Sequence, residues 1–150
     1  VNGRIVHYFL SQVTELEASL LGQDIGSASS QQTFEALAAL VALRAWSHIW
    51  KAQRCVLKVR SDSVSSLVVV LRMKTCGAGP GIVAREIALD ISEALYRPDI
   101  VEHVTGIANK ICDCLSRKYQ LGASYSLPHV LHNIEETVVA VRDRSYYRSL

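Results

Sequence analysis

The chain has 150 residues, 49% apolar and 20% charged, which suits one ordinary domain with a real core and argues against a disordered chain. A formal charge of +2 and a pI near 8.4 permit a polyanionic partner without dictating one. Of four cysteines only Cys112 and Cys114 are close in sequence; this spacing argues against a disulfide framework or a zinc finger, and no apolar run reaches the ~18–20 residues that cross a bilayer.

Asn2-Gly3 is a hairpin-turn signal with a strand expected on each side. Arg4 to Phe9, rich in β-branched and aromatic types, predicts the strand that follows it. Residues 11–30 read as a loop holding a short helix near Glu15–Leu20. Ser29 and Gln32 have the spacing of a capping box, and Phe34, Leu37, Ala38, Val41, Ala45 and Ile49 recur at helical intervals to about Trp50. That helix is apolar nearly all round, as helices buried on more than one side are.

Arg54 to Arg60 predicts a strand, with Cys55, Leu57 and Val59 on one face and Val56 on the other. A helix over Val64–Met73 follows Ser61-Asp62-Ser63, and glycines 77, 79 and 81 mark a loop. Val83, Ile87, Ile91 and Leu95 step by four through a helix over Ile82–Leu95. Arg97-Pro98 breaks it, Asp99–Val104 reads as a strand, Thr105-Gly106 as a turn and Ala108–Lys118 as a last helix. Strands alternating with helices imply an α/β layer fold. Residues 1–119 then form one domain. Residues 120–150 read as a C-terminal tail or linker, with a short helix around Asn133–Val141.

Three acids draw attention. Glu35 lies early in the long helix, where an acid also complements the helix dipole. Asp62 follows the carboxyl end of a strand, the edge where α/β sheets bind ligands, and is equally placed to cap the next helix. Asp113 sits inside the last helix, where aspartate is a mediocre residue unless it faces solvent. Were the three to converge, each pair of carboxylates ~4 Å apart would cost about 4 kcal/mol at an effective dielectric of 20. Such a cluster requires a cation, and its oxygens suit Mg²⁺ or Mn²⁺ in phosphodiester hydrolysis. His103, ten residues before Asp113, has the chemistry to move protons there or to be an ordinary exposed histidine. His129 and His132, in the poorly patterned tail, have no evident partners.

Gln31–Trp46, Val59–Leu67 and Val101–Tyr119 resemble the RNase H region of LTR-retroelement (Ty3/gypsy-like) reverse transcriptases. The last block is the most specific: His103, Gly106, Asn109, Asp113, Leu115, Ser116 and Arg117 keep the spacing of H-I-P-G-x-x-N-x-x-A-D-x-L-S-R, with Thr105 in place of its proline. The resemblance implies a ribonuclease H-like α/β fold, a mixed sheet with helices on both faces, its first strands missing. It implies metal-dependent cleavage of the RNA strand of RNA–DNA hybrids. Glu35, Asp62 and Asp113 would be metal ligands and catalytic residues, His103 a catalytic loop histidine, and Mg²⁺ or Mn²⁺ would form a two-ion site if an upstream aspartate were supplied. The family's first aspartate lies before residue 1, so impaired activity is expected of this fragment. The implied partners are the hybrid and the polymerase domain of the same polyprotein, with no membrane. The implied location is intracellular, a cytoplasmic particle or the nucleus, and not secreted. Two alternatives stand beside this reading: a catalytically inactive nucleic-acid-binding or tethering module, and an unrelated α/β domain whose acids are a cap, a dipole partner and a surface residue.

Overall fold

The computed structural model describes residues 4–63, 68, 72, 77–104, 109–120 and 122–150, and for 98–103 the backbone. In chain order these form α1 (Glu15–Leu20), α2 (Gln31–Ala45), α3 (Ser47–Trp50), β1 (Val56–Ser61), α4 (Ala78–Ser92), β2 (Arg97–His103) and α5 (Lys110–Ser116), with short 3₁₀ turns between and after them. The Asn2-Gly3 and Thr105-Gly106 turns lie outside the described residues. So does the helix expected over 64–73, apart from Val68 and Arg72, both helical.

α2 is the centre of the core. Leu37, Leu40, Val41 and Leu43 pack with Ile82, Val83 and Ile87 of α4, and Leu40, Val83 and Ile87 are fully buried. Gly79, in the first turn of α4, lets that helix lie against the turn after α1: a Cβ there would stand 2.7 Å from the Leu21 carbonyl oxygen. α1 itself is capped by Thr14, whose hydroxyl accepts from the Glu17 amide. The capping box expected at Ser29 does not form. Residues 28–30 make a 3₁₀ turn, Ser29 bonds the Ser27 hydroxyl, and Ser30, without a side-chain cap bond of its own, precedes the helix.

The expected ribonuclease H-like α/β architecture is not what the chain adopts. The described residues are mostly helical, and β1 and β2 alone lie side by side, parallel, with no further strand extending the pair. Their register runs from Val56↔Arg97 to Ser61↔His103, with an irregularity at Val59/Arg60. Arg4–Phe9 is no strand: Tyr8 makes one isolated bridge to Glu136, and the Thr137 amide donates to the Tyr8 carbonyl at 2.8 Å. The aromatic content of this segment serves packing instead. Phe9 meets the Trp46 ring edge-on, 5.6 Å between centroids, and His7 stacks on it at 6.5 Å.

The physical reason for the difference is what covers α2. Its all-round apolar surface predicts burial on more than one side without fixing what covers it. α4 takes one side, and Phe9, Val13, Val139 and Leu150, from segments without regular structure, pack on the same core with Tyr146 of a 3₁₀ turn. The short helix expected around Asn133–Val141 is likewise absent, those residues being extended or turned. Among the described residues no helix is long and apolar enough to cross a membrane.

Candidate functional site

β1 alternates as a half-buried strand should. Leu57 and Val59 are half-buried while Val56, Lys58 and Arg60 are exposed. Its carboxyl end carries Asp62, exposed, beside the end of β2, where His103 is the Cα partner of Ser61 and the Val104 amide donates to the Ser61 carbonyl at 3.1 Å. The field of this edge extends to α5: desolvation and then the negative charge of Asp62 push the Cys112 thiol above its usual pKa. Thus Asp62 and the backbone of His103 share one edge of the strand pair, with Cys112 of α5 within reach of the Asp62 charge.

Glu35 and Asp113 do not complete a metal site there. Asp113 lies on an exposed face of α5 and accepts two bonds from Arg117, one turn on, at 3.0 and 3.2 Å. Glu35 is half-buried on α2 and accepts from the Gln31 side-chain amide at 3.0 Å. Among the described residues no three His, Cys, Asp or Glu side chains stand close enough together to hold an ion. Each of Glu35 and Asp113 has a local partner on its own helix, the arrangement that stabilises exposed helix surfaces.

Positive charge gathers instead along β1 and at the opposite, amino-terminal end of the strand pair. Lys51, Arg54, Lys58 and Arg60 are all exposed within ten residues that contain no acid. Arg97, also exposed, is the Cα partner of Val56 and therefore stands next to Arg54 along the same rim, whereas Asp99 and Glu102 are the partners of Lys58 and Arg60. Segments 51–62 and 97–119 hold eight of the 16 Lys and Arg but four of the 14 Asp and Glu; the rest of the chain holds eight and ten. The small net charge therefore combines an excess of four positive charges in these two segments with an excess of two negative charges in the rest. This run was visible in the sequence as a cluster of cations, masked by the attention that the three acids attract.

Elsewhere acids and cations neutralise each other in the interior. Glu17, fully buried, receives the Arg142 guanidinium and the Tyr147 hydroxyl at 2.7 Å. Burial, then the bond to Glu17, pushes the Tyr147 hydroxyl well above its usual pKa. Glu86, also fully buried, receives Arg44 at 2.6 Å and the Ser149 amide at 2.6 Å, while Asp90 binds both Arg44 and Arg148. Burial opposes the charge on Glu86, yet the bonds from Ser149 and Arg44 outweigh it and hold the carboxyl below its usual range.

Comparison with protein-family models, with curated proteins and with solved structures finds no match to this chain.

Proposed function

We propose that the chain is a nucleic-acid-binding module that grips the phosphate backbone along the β1 and β2 rim and holds a strand or hybrid for a neighbouring activity. The observation that carries this is the charge asymmetry: eight Lys and Arg against four Asp and Glu in segments 51–62 and 97–119, in a protein whose net charge is only +2. Clustered cations on one face are the electrostatic footprint of backbone binding. Alternate residues of a strand lie ~6.7 Å apart on one side, so Lys58 and Arg60 present a regular pair of charges beside Arg54 and Arg97. Recognition of this kind reads no base edges, in keeping with the hybrid that the sequence resemblance implies.

A second reading, Mg²⁺- or Mn²⁺-dependent hydrolysis of the RNA strand, draws support from one observation, the nearness of Asp62 to the first turn of α5. It requires Asp113 to leave Arg117.

Fluorescence anisotropy with a labelled RNA–DNA hybrid over a salt series tests both. Binding should weaken linearly in log–log form, and Arg54→Ala/Arg97→Ala should weaken it further and flatten the slope by roughly 0.7–0.9 per lost phosphate contact. An absence of binding at low salt, or an unchanged slope in that variant, would overturn the proposal. The same samples, run on a gel with Mn²⁺, report hydrolysis. Cleavage abolished by Asp62→Asn would establish the second reading.

A further inference from the structure

The 3₁₀ turn His129–Leu131 and the residue after it place two imidazoles together. The ring centroids of His129 and His132 are 5.0 Å apart, with an interplanar angle of 50°. The spacing is what the turn dictates, since positions three apart in a 3₁₀ helix eclipse one another. Both side chains are exposed at an open depression of about 570 Å³, walled also by Ile111, Cys114, Leu127 and Pro128.

Two features suit this pair to a metal ion. The first is distance. Zinc–nitrogen bonds of about 2.0–2.1 Å, carried through to the ring centres, put two imidazoles on one tetrahedral ion about 5 Å apart. The second is the tautomer. His132 Nε2 lies 3.1 Å from the Leu127 carbonyl oxygen, which can only accept, so Nε2 donates and, in the neutral ring that binds metal, Nδ1 has the lone pair. A histidine that donates its other N–H to a backbone carbonyl is oriented as metal-binding histidines commonly are.

The geometry points to a bidentate site for a borderline divalent transition ion of the Zn²⁺ or Cu²⁺ type at His129 and His132, with solvent completing the coordination. Imidazole nitrogen selects such ions over Mg²⁺ or Ca²⁺, so this site is chemically separate from the carboxylate edge of β1. It also stands apart from the nucleic-acid reading, because neither histidine belongs to the basic rim. Cys114, which lines the depression, and Cys112, two residues before it in sequence, are the competing ligands to be distinguished.

Calorimetric titration of the full chain with Zn²⁺ alone, followed by ¹⁵N NMR of the histidine rings, tests the assignment. We expect one ion to bind both the wild type and Cys112→Ser/Cys114→Ser, with the His129 and His132 ring signals moving together while those of His7 and His48 stay. His129→Asn and His132→Asn should each weaken binding about tenfold or more, at least the loss seen when a ligand's orienting partner is removed. Binding that vanishes in the cysteine variant but survives His132→Asn would overturn the proposal by assigning the ion to the thiols. An absence of heat, or histidine signals that do not move, would overturn it outright.

Discussion

Arg142 lays its guanidinium along the buried carboxylate of Glu17, 125 residues earlier in the chain, and also bonds the Ser11 hydroxyl and the Gln12 carbonyl. No water reaches Glu17, so its charge is balanced by Arg142 and by the Tyr147 hydroxyl. Taking one partner from such a pair is costly because the other stays charged in a place that cannot hydrate it. Arg142→Ala should therefore cost about 3–5 kcal/mol in urea unfolding. Glu17→Leu/Arg142→Met, which removes both charges, should recover most of that loss. A double variant as unstable as Arg142→Ala would contradict this account.

Acid should act through Glu86. Its folded pKa lies below the ordinary value of 4.5, so its stabilisation is fully present above that value and is lost as pH falls from about 4.5 towards the depressed folded value. Glu86→Gln removes the charge that Arg44 and the Ser149 amide bind, and should cost about 1.5–3 kcal/mol at pH 7. The gap between wild type and variant should narrow on acidification. Denaturant midpoints measured from pH 7 to pH 3 would show it, and parallel curves would refute it.

Gly79, having no Cβ, permits the close approach of α4 to the turn after α1. A methyl group there meets backbone, the Leu21 carbonyl oxygen at 2.7 Å, as well as the more yielding Gln23 side chain. Gly79→Ala should destabilise by about 1–3 kcal/mol despite alanine's better helix propensity, because the clash forces α4 outward. A thermal melt suffices; a rise in midpoint would show that the helix shifts freely.

Much of the local structure was legible in the sequence. The helices over 31–50 and 82–95 and the strands near 54–60 and 99–104 were marked by apolar intervals of four and of two, and α1 spans the Glu15–Leu20 segment that the loop reading had singled out. The layer architecture was not. Apolar spacing shows that α2 is buried, but not whether a strand or an irregular segment such as residues 137–150 does the covering. The β-rich look of Arg4–Phe9 came from residues that pack on Trp46, and composition alone cannot separate the two uses. Of the acids, Asp62 sits at the strand end that its sequence position suggested. Asp113 and Glu35 engage Arg117 and Gln31, partners four residues away and therefore available to any helix. The buried pairs Glu17–Arg142 and Arg44–Glu86 left no local trace, their members lying 125 and 42 residues apart.

Those separations bear on how the chain reaches its native state. Drawing the ends of a segment as long as that between Glu17 and Arg142 together costs about 4 kcal/mol in chain entropy, and contacts this distant in sequence slow folding. During synthesis, α1, α2 and α4 emerge and begin to pack well before Arg142, Tyr147 and Ser149 leave the ribosome. Through that interval Glu17 has neither Arg142 nor Tyr147, and Glu86 lacks the Ser149 amide. The nascent helical core is then pressed to stay loose enough for water, or a proton, to reach both carboxylates. Residues made long after these helices are thus the ones that allow them to close.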